Sequence, residues 1–157
     1  MSDVPQTSEL KTKLDSFNRR GEIDVVLLGQ DLVEAVDVAM DSLRRSGAEV
    51  VHGGSPDIEV QGADARQGAF FPATLLHCAR PFDRREAHEI EAFGPVATVM
   101  PYKDLDDAIA LANRGKGSLA ISVFTSDSAI AREIVLGAGA YHGRMVFINR
   151  DCAKEST

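Results

Sequence analysis

Between residues 23 and 149 the chain keeps switching between a strand-like and a helix-like hydrophobic period, and this alternation limits its fold more than any other feature. Ile23-Asp24-Val25-Val26-Leu27-Leu28 is a nearly continuous apolar run ending at Gly29, as in a buried strand. Asp31 then suits the cap of a helix whose Leu32, Val36, Met40 and Leu43 recur three or four residues apart. Arg44 and Arg45 make a basic last turn, and Gly47 supplies a left-handed stop. Val50 and Val51 read as the next strand, closed by Gly53-Gly54. A polar, glycine-rich loop over 53–68 leads to a strand over Phe70–Leu76, in which Pro72 marks an edge or bulge.

The pattern continues after a charged stretch from Asp83 to Glu91 and the turn Phe93-Gly94-Pro95. Val96–Met100 is a strand. Asp104 caps a helix with Leu105, Ala108, Ile109 and Ala112 on one face, ended by Gly115. Leu119–Phe124 is a strand, and Asp127 caps a helix with Ile130, Ile134 and Val135 inside and Gly137 and Gly139 at its end. Arg144–Asn149 is the last strand. The sequence therefore predicts an α/β protein, a mainly parallel sheet with helices packed on it. Leu10, Leu14 and Phe17 suggest a short helix after Ser8, but nothing fixes where the N-terminal segment 1–30 packs. Residues 31–157 form the second part, which carries the recognisable motifs.

Composition narrows the function classes. At 157 residues and 44% hydrophobic the chain holds enough apolar material for one core. A net charge of −7 argues against a nucleic-acid binder, whose phosphates this surface would repel. No apolar run approaches the roughly 20 residues that span a bilayer. The start, Met1-Ser2-Asp3-Val4-Pro5-Gln6, lacks the basic-then-apolar order of a secretory signal. Two cysteines make no disulfide scaffold, so a cytoplasmic setting is expected.

Several constellations resemble sites without meeting their chemical requirements. Gly115-Lys116-Gly117-Ser118 breaks the Gly-Lys-Ser order of a phosphate loop and reads as a helix end turning into a strand. Gly137-Ala138-Gly139-Ala140-Tyr141-His142-Gly143 closes a helix, whereas a dinucleotide loop must open one. His52, His77, His88, His142, Cys78 and Cys152 show no metal-ligand spacing, so no metal is predicted. Cys78, between His77 and Arg80, reads either as a nucleophile or as a small buried hydrophobe, and the second reading is preferred. In His88-Glu89-Ile90-Glu91-Ala92-Phe93-Gly94-Pro95-Val96, by contrast, two carboxylates and an aromatic precede a stiff turn and a strand. In an extended chain Glu89 and Glu91 share one face. A carboxylate can accept from both hydroxyls of a ribose, and Phe93 can pack on a flat ring. The competing reading is a solvated acidic loop with Phe93 plugged into the core, and composition alone favours it.

At Glu91-Ala92-Phe93-Gly94-Pro95-Val96 the sequence resembles the aldehyde dehydrogenase superfamily, which carries a Glu-x-Phe-Gly-Pro-Val segment late in its catalytic domain. The order of other segments matches too: Ser46–Gly54 with its Gly-Gly turn, Gly68–Leu76, Leu119–Thr125 and Val146–Asn149. Within the superfamily, His88–Pro101, Gly117–Ala120 and Ala153–Thr157 are most similar to the dehydrogenase part of the bifunctional phenylacetate-degradation proteins. The benzoate-pathway semialdehyde dehydrogenases come next. The resemblance implies part of a dehydrogenase that uses NADP or NAD to oxidise a coenzyme A-linked semialdehyde. It implies that Glu91 bonds the ribose beside the nicotinamide, that Phe93 packs beside the nicotinamide, and that Asn149 is structural.

The family's nucleophile is a cysteine in a Gly-Gln-x-Cys setting, and Gly29-Gln30-Asp31-Leu32 carries leucine there. No catalytic residue is therefore assigned, and the chain alone is expected to be inactive and to hold no cofactor tightly. The expected partner is the remainder of an aldehyde dehydrogenase or another copy of this chain, with self-association. The alternative is a stand-alone binding or assembly module reusing the scaffold.

Overall fold

The structure, a computed structural model, describes residues 25–27, 30–55, 60, 64 and 69–148. The expected helix after Ser8, most of the 53–68 loop, Asn149 and Cys152 lie outside the described residues. The described residues up to 101 form one compact unit and those from 102 onward a second.

The first unit holds β1 (Val25–Leu27), α1 (Gln30–Arg45), β2 (Glu49–His52), β3 (Phe70–Pro72), β4 (Thr74–His77), the short α2 (Glu86–Glu89) and β5 (Val96–Val99). Helix α1 begins at Gln30, so Asp31 lies inside it and not at the cap position that the sequence suggests. Val36, Met40 and Leu43 fall on its buried face and cluster with Ala48, Phe71 and Leu76. Its end is a Schellman motif: Ala48 N–H reaches the Leu43 carbonyl at 3.1 Å and Gly47 N–H the Arg44 carbonyl at 3.0 Å. Gly47 adopts the left-handed φ of 101° that this geometry needs, as the sequence predicted.

Strands β2, β4 and β5 form one sheet with β4 central; β2–β4 is antiparallel and β4–β5 parallel. The run from Phe70 to Leu76 is two strands, not one. Phe70–Pro72 pairs antiparallel with β1, and Thr74–His77 joins the other sheet. Pro72 has no N–H to donate, so the break follows it directly.

The second unit holds α3 (Leu105–Arg114), β6 (Ile121–Phe124), α4 (Ser128–Ala138), a 3-10 turn (Gly139–Tyr141) and β7 (Met145–Ile148). Strands β6 and β7 run parallel with α4 between them in sequence, the βαβ arrangement expected of an α/β chain. Both predicted caps form. Asp104 accepts from Asp107 N–H at 2.9 Å, and Asp127 accepts from Ala129 and Ile130 at 2.7 and 3.3 Å. Asn113 Nδ2 donates to the Gly137 carbonyl at 2.9 Å, and a Cβ at Gly137 would stand 2.8 Å from Ile109 Cγ2. Gly137 thus lets α3 and α4 approach. The predicted inner face of α4 is only partly buried: Ile130 and Val135 are exposed, because helix periodicity identifies an apolar stripe but not what lies against it. Leu119, Phe124 and Leu136 are also exposed, at 94%, 76% and 75%.

Candidate functional site

The loop between α2 and β5 carries Glu91 and Phe93. Its start is fixed by α2, where Arg85 Nε donates to Glu89 Oε1 at 2.6 Å and His88 Nε2–H donates to the Pro81 carbonyl at 2.8 Å. Ile90 packs against the core cluster before the loop and Val96 packs against it after. Between these anchors Glu91 and Phe93 are exposed, Phe93 at 67%. Phe93 is therefore not a core plug, and the competing sequence reading fails for it. Glu89 and Glu91 do not share one extended face either. Glu89 ends a helix and is engaged by Arg85, while among the described residues the Glu91 carboxylate enters no ion pair. Local helix formation, stabilised by an ion pair four residues apart, overrides the extended reading.

The far end of the loop is tightly turned. Gly94 N–H bonds the Ala92 carbonyl at 2.8 Å and Val96 N–H bonds the Gly94 carbonyl at 2.7 Å, across the ring-stiffened Pro95. The Pro95 carbonyl accepts from Thr74 N–H at 2.8 Å. Thr74 is 4% exposed; its hydroxyl donates to the Pro72 carbonyl at 3.0 Å and accepts from Gly54 N–H at 3.1 Å. Gly53 and Gly54 take left-handed φ values of 69° and 71°. A Cβ on Gly53 would overlap the Ala73 carbonyl oxygen and lie 2.9 Å from Thr74 Oγ1. The Gly-Gly turn, the Pro-Ala-Thr break and the Phe-Gly-Pro turn are thus one joint, although 20 residues separate Gly54 from Thr74. Sequence reading missed Thr74; the available signal was a hydroxyl directly after the break in an apolar run. An open, mostly apolar groove of about 390 Å³ follows this seam, with His52 on one side and 94–97 on the other.

Cys78 does not join the loop chemically. It is 1% exposed, its N–H extends the β4–β5 ladder to the Val99 carbonyl at 2.9 Å, and burial pushes its thiol up from 9.0 against the opposing pull of Arg80 and Arg84. A protonated, enclosed thiol is a poor nucleophile. In a chain with Cys152→Ser, Cys78 is expected to alkylate slowly when folded and rapidly in denaturant; equal rates would refute its enclosure. Above pH 9.0 the unfolded chain loses the thiol proton first, so the folded state holds more protons and stability falls as pH rises.

The tempting glycine segments are structural. Gly115 ends α3, Lys116 and Gly117 turn with φ of 60° and 130°, and Ser118 pairs with His142 in an isolated parallel bridge beside β6 and β7. Ser118 Oγ lies 2.6 Å from His142 Nδ1. Gly137 lies within α4 and Gly139 caps its C-terminus, so this segment does close a helix. Among the described residues no group of three or more His, Cys, Asp or Glu is placed to hold a metal ion, and no helix is long and apolar enough to cross a membrane.

The chain is similar to several known proteins. The chain is 47% identical over 105 residues to the 3,4-dehydroadipyl-CoA semialdehyde dehydrogenase of Aromatoleum evansii, covering 67% of this chain and 20% of that protein. It is 42% identical over 131 residues to protein MaoC of Klebsiella aerogenes, covering 83% of this chain and 37% of the relative. The chain thus spans well under half the length of these relatives. Among solved structures, a betaine aldehyde dehydrogenase from Staphylococcus aureus in complex with NAD+ superposes with a TM-score of 0.64 and 27% identity, over 76% of this chain and 23% of that one. The pattern of the aldehyde dehydrogenase family matches residues 24–156, nearly the whole sequence, and the chain belongs to that family.

Proposed function

We propose that this chain forms the late part of an aldehyde dehydrogenase catalytic domain and contributes Glu91 and Phe93 to the nicotinamide-ribose half of an NADP or NAD site. One observation carries the reading: both side chains stand open on a loop held at both ends, as a carboxylate acceptor and an aromatic face must to meet a sugar and a flat ring. The cofactor, when bound, supplies the hydride acceptor. The substrate we propose is a coenzyme A-linked semialdehyde of aromatic-compound breakdown, in the phenylacetate or benzoate manner. Support comes from the 47% identity to a 3,4-dehydroadipyl-CoA semialdehyde dehydrogenase, whose named substrate is a coenzyme A-linked semialdehyde. The setting is cytoplasmic, in keeping with the free thiol of Cys78.

By itself the 157-residue chain turns over no aldehyde. Covalent dehydrogenation needs a reactive thiolate, an oxyanion donor and a held nicotinamide, and Cys78 is buried. The partner we propose is the remainder of such an enzyme or another copy of this chain, and the exposed Leu119, Phe124 and Leu136 support a covering surface of that kind.

Two assays test the reading. Purified chain supplied with aldehyde and NADP+ or NAD+ is expected to form no reduced cofactor; turnover above that of a Glu91→Gln, Cys78→Ser double variant would overturn its inactivity. In an intact semialdehyde dehydrogenase whose matching segment is replaced by this one, Glu91→Gln should raise the cofactor KM about tenfold or more, the loss of a charged hydrogen bond. An unchanged KM and kcat would remove Glu91 from the site.

A further inference from the structure

We infer that Thr74 is the positioning residue of the Glu91–Pro95 loop, acting through its hydroxyl on the direction of its own backbone N–H. The inference rests on the reading above for what the loop is placed to do, but its geometry stands independently. Thr74 opens β4 just where the chain leaves the sheet of β1 and β3 for that of β2 and β5. Pro72 lacks an N–H, and at this bend the Thr74 side chain makes two hydrogen bonds. The Thr74 hydroxyl has one hydrogen and two lone pairs; the hydrogen goes to the Pro72 carbonyl at 3.0 Å and one lone pair takes Gly54 N–H at 3.1 Å. Clamped on both sides, Thr74 presents its N–H to the Pro95 carbonyl at 2.8 Å. Pro95 is two residues beyond Phe93, and the two tight turns at Gly94 and Val96 leave little slack between them.

Valine at this position keeps the shape but removes both hydroxyl bonds, leaving Gly54 N–H without its acceptor and the bend unheld. Serine keeps the hydroxyl. The experiment is amide NMR with hydrogen exchange on the full chain, comparing wild type, Thr74→Ser, Thr74→Val and a core variant of the second unit, Val123→Ala. Thr74→Val should move the amide resonances of 91–94 and 96 and speed Gly54 exchange about tenfold, the equivalent of one hydrogen bond. Thr74→Ser should restore both, and Val123→Ala should move neither. Unmoved loop resonances in Thr74→Val, or Thr74→Ser behaving like it, would overturn the proposal. Should Thr74→Val not fold, wild type decides: a Gly54 amide exchanging at the rate of free peptide would equally overturn it. Displaced loop resonances together with a silent Glu91→Gln in the intact enzyme would retire the nicotinamide reading and leave the positioning role standing.

Discussion

Gly53→Ala is expected to destabilise the first unit by about 3 kcal/mol or more, which for a domain of ordinary stability removes a large share of the total. Two costs add. The left-handed φ of 69° penalises any side chain with a Cβ, and the added methyl meets the Ala73 carbonyl, which is backbone of a strand junction and cannot swing aside. Moving Ala73 also pulls on Thr74, whose N–H and hydroxyl serve three segments. The measurement is urea unfolding followed by resonances of the first unit, since the two units need not melt together. A loss below about 1 kcal/mol, the cost of an unstrained surface change, would show that the turn has room to relax.

Leu76→Ala should cost a comparable amount, about 2 to 5 kcal/mol, through lost burial and the cavity left behind. Leu76 is fully enclosed on the central strand, in the cluster with Val36, Met40, Leu43, Ala48 and Phe71. Val38→Ala, at a position 63% exposed on α1 of the same unit, should lie within about 0.5 kcal/mol of wild type. The contrast isolates burial within one unit. If both positions respond alike, the cluster is not the core of the first unit.

Much of this fold was legible because its signals are local. Asp104 and Asp127 reach the backbone amides of their own first turns, and Gly47 completes a motif contained within six residues. The alternation of runs gave the α/β class for the same reason. The division of Phe70–Leu76 between two sheets was not legible, since which partner a strand chooses depends on residues far along the chain. Glu89 was misplaced because its helix is four residues long, too short for any periodicity to register. At the candidate site, Glu91 and Phe93 are singled out by the resemblance, while their exposure depends on packing around the loop that no local motif encodes. Thr74 was invisible because its importance is a matter of what lies beside it, not of its neighbours in sequence.

The joint at Thr74 also has a consequence for recombining such enzymes. The Gly-Gly turn, the Pro-Ala-Thr break and the Phe-Gly-Pro turn are mechanically one part, cut from three stretches of chain. A crossover between this sequence and a relative that falls inside 54–74 or 74–95 takes one face of the joint from each parent. Crossovers outside 53–96 transfer it whole, so viable hybrids should concentrate there even though the interior of that window contains the most permissive-looking loop sequence.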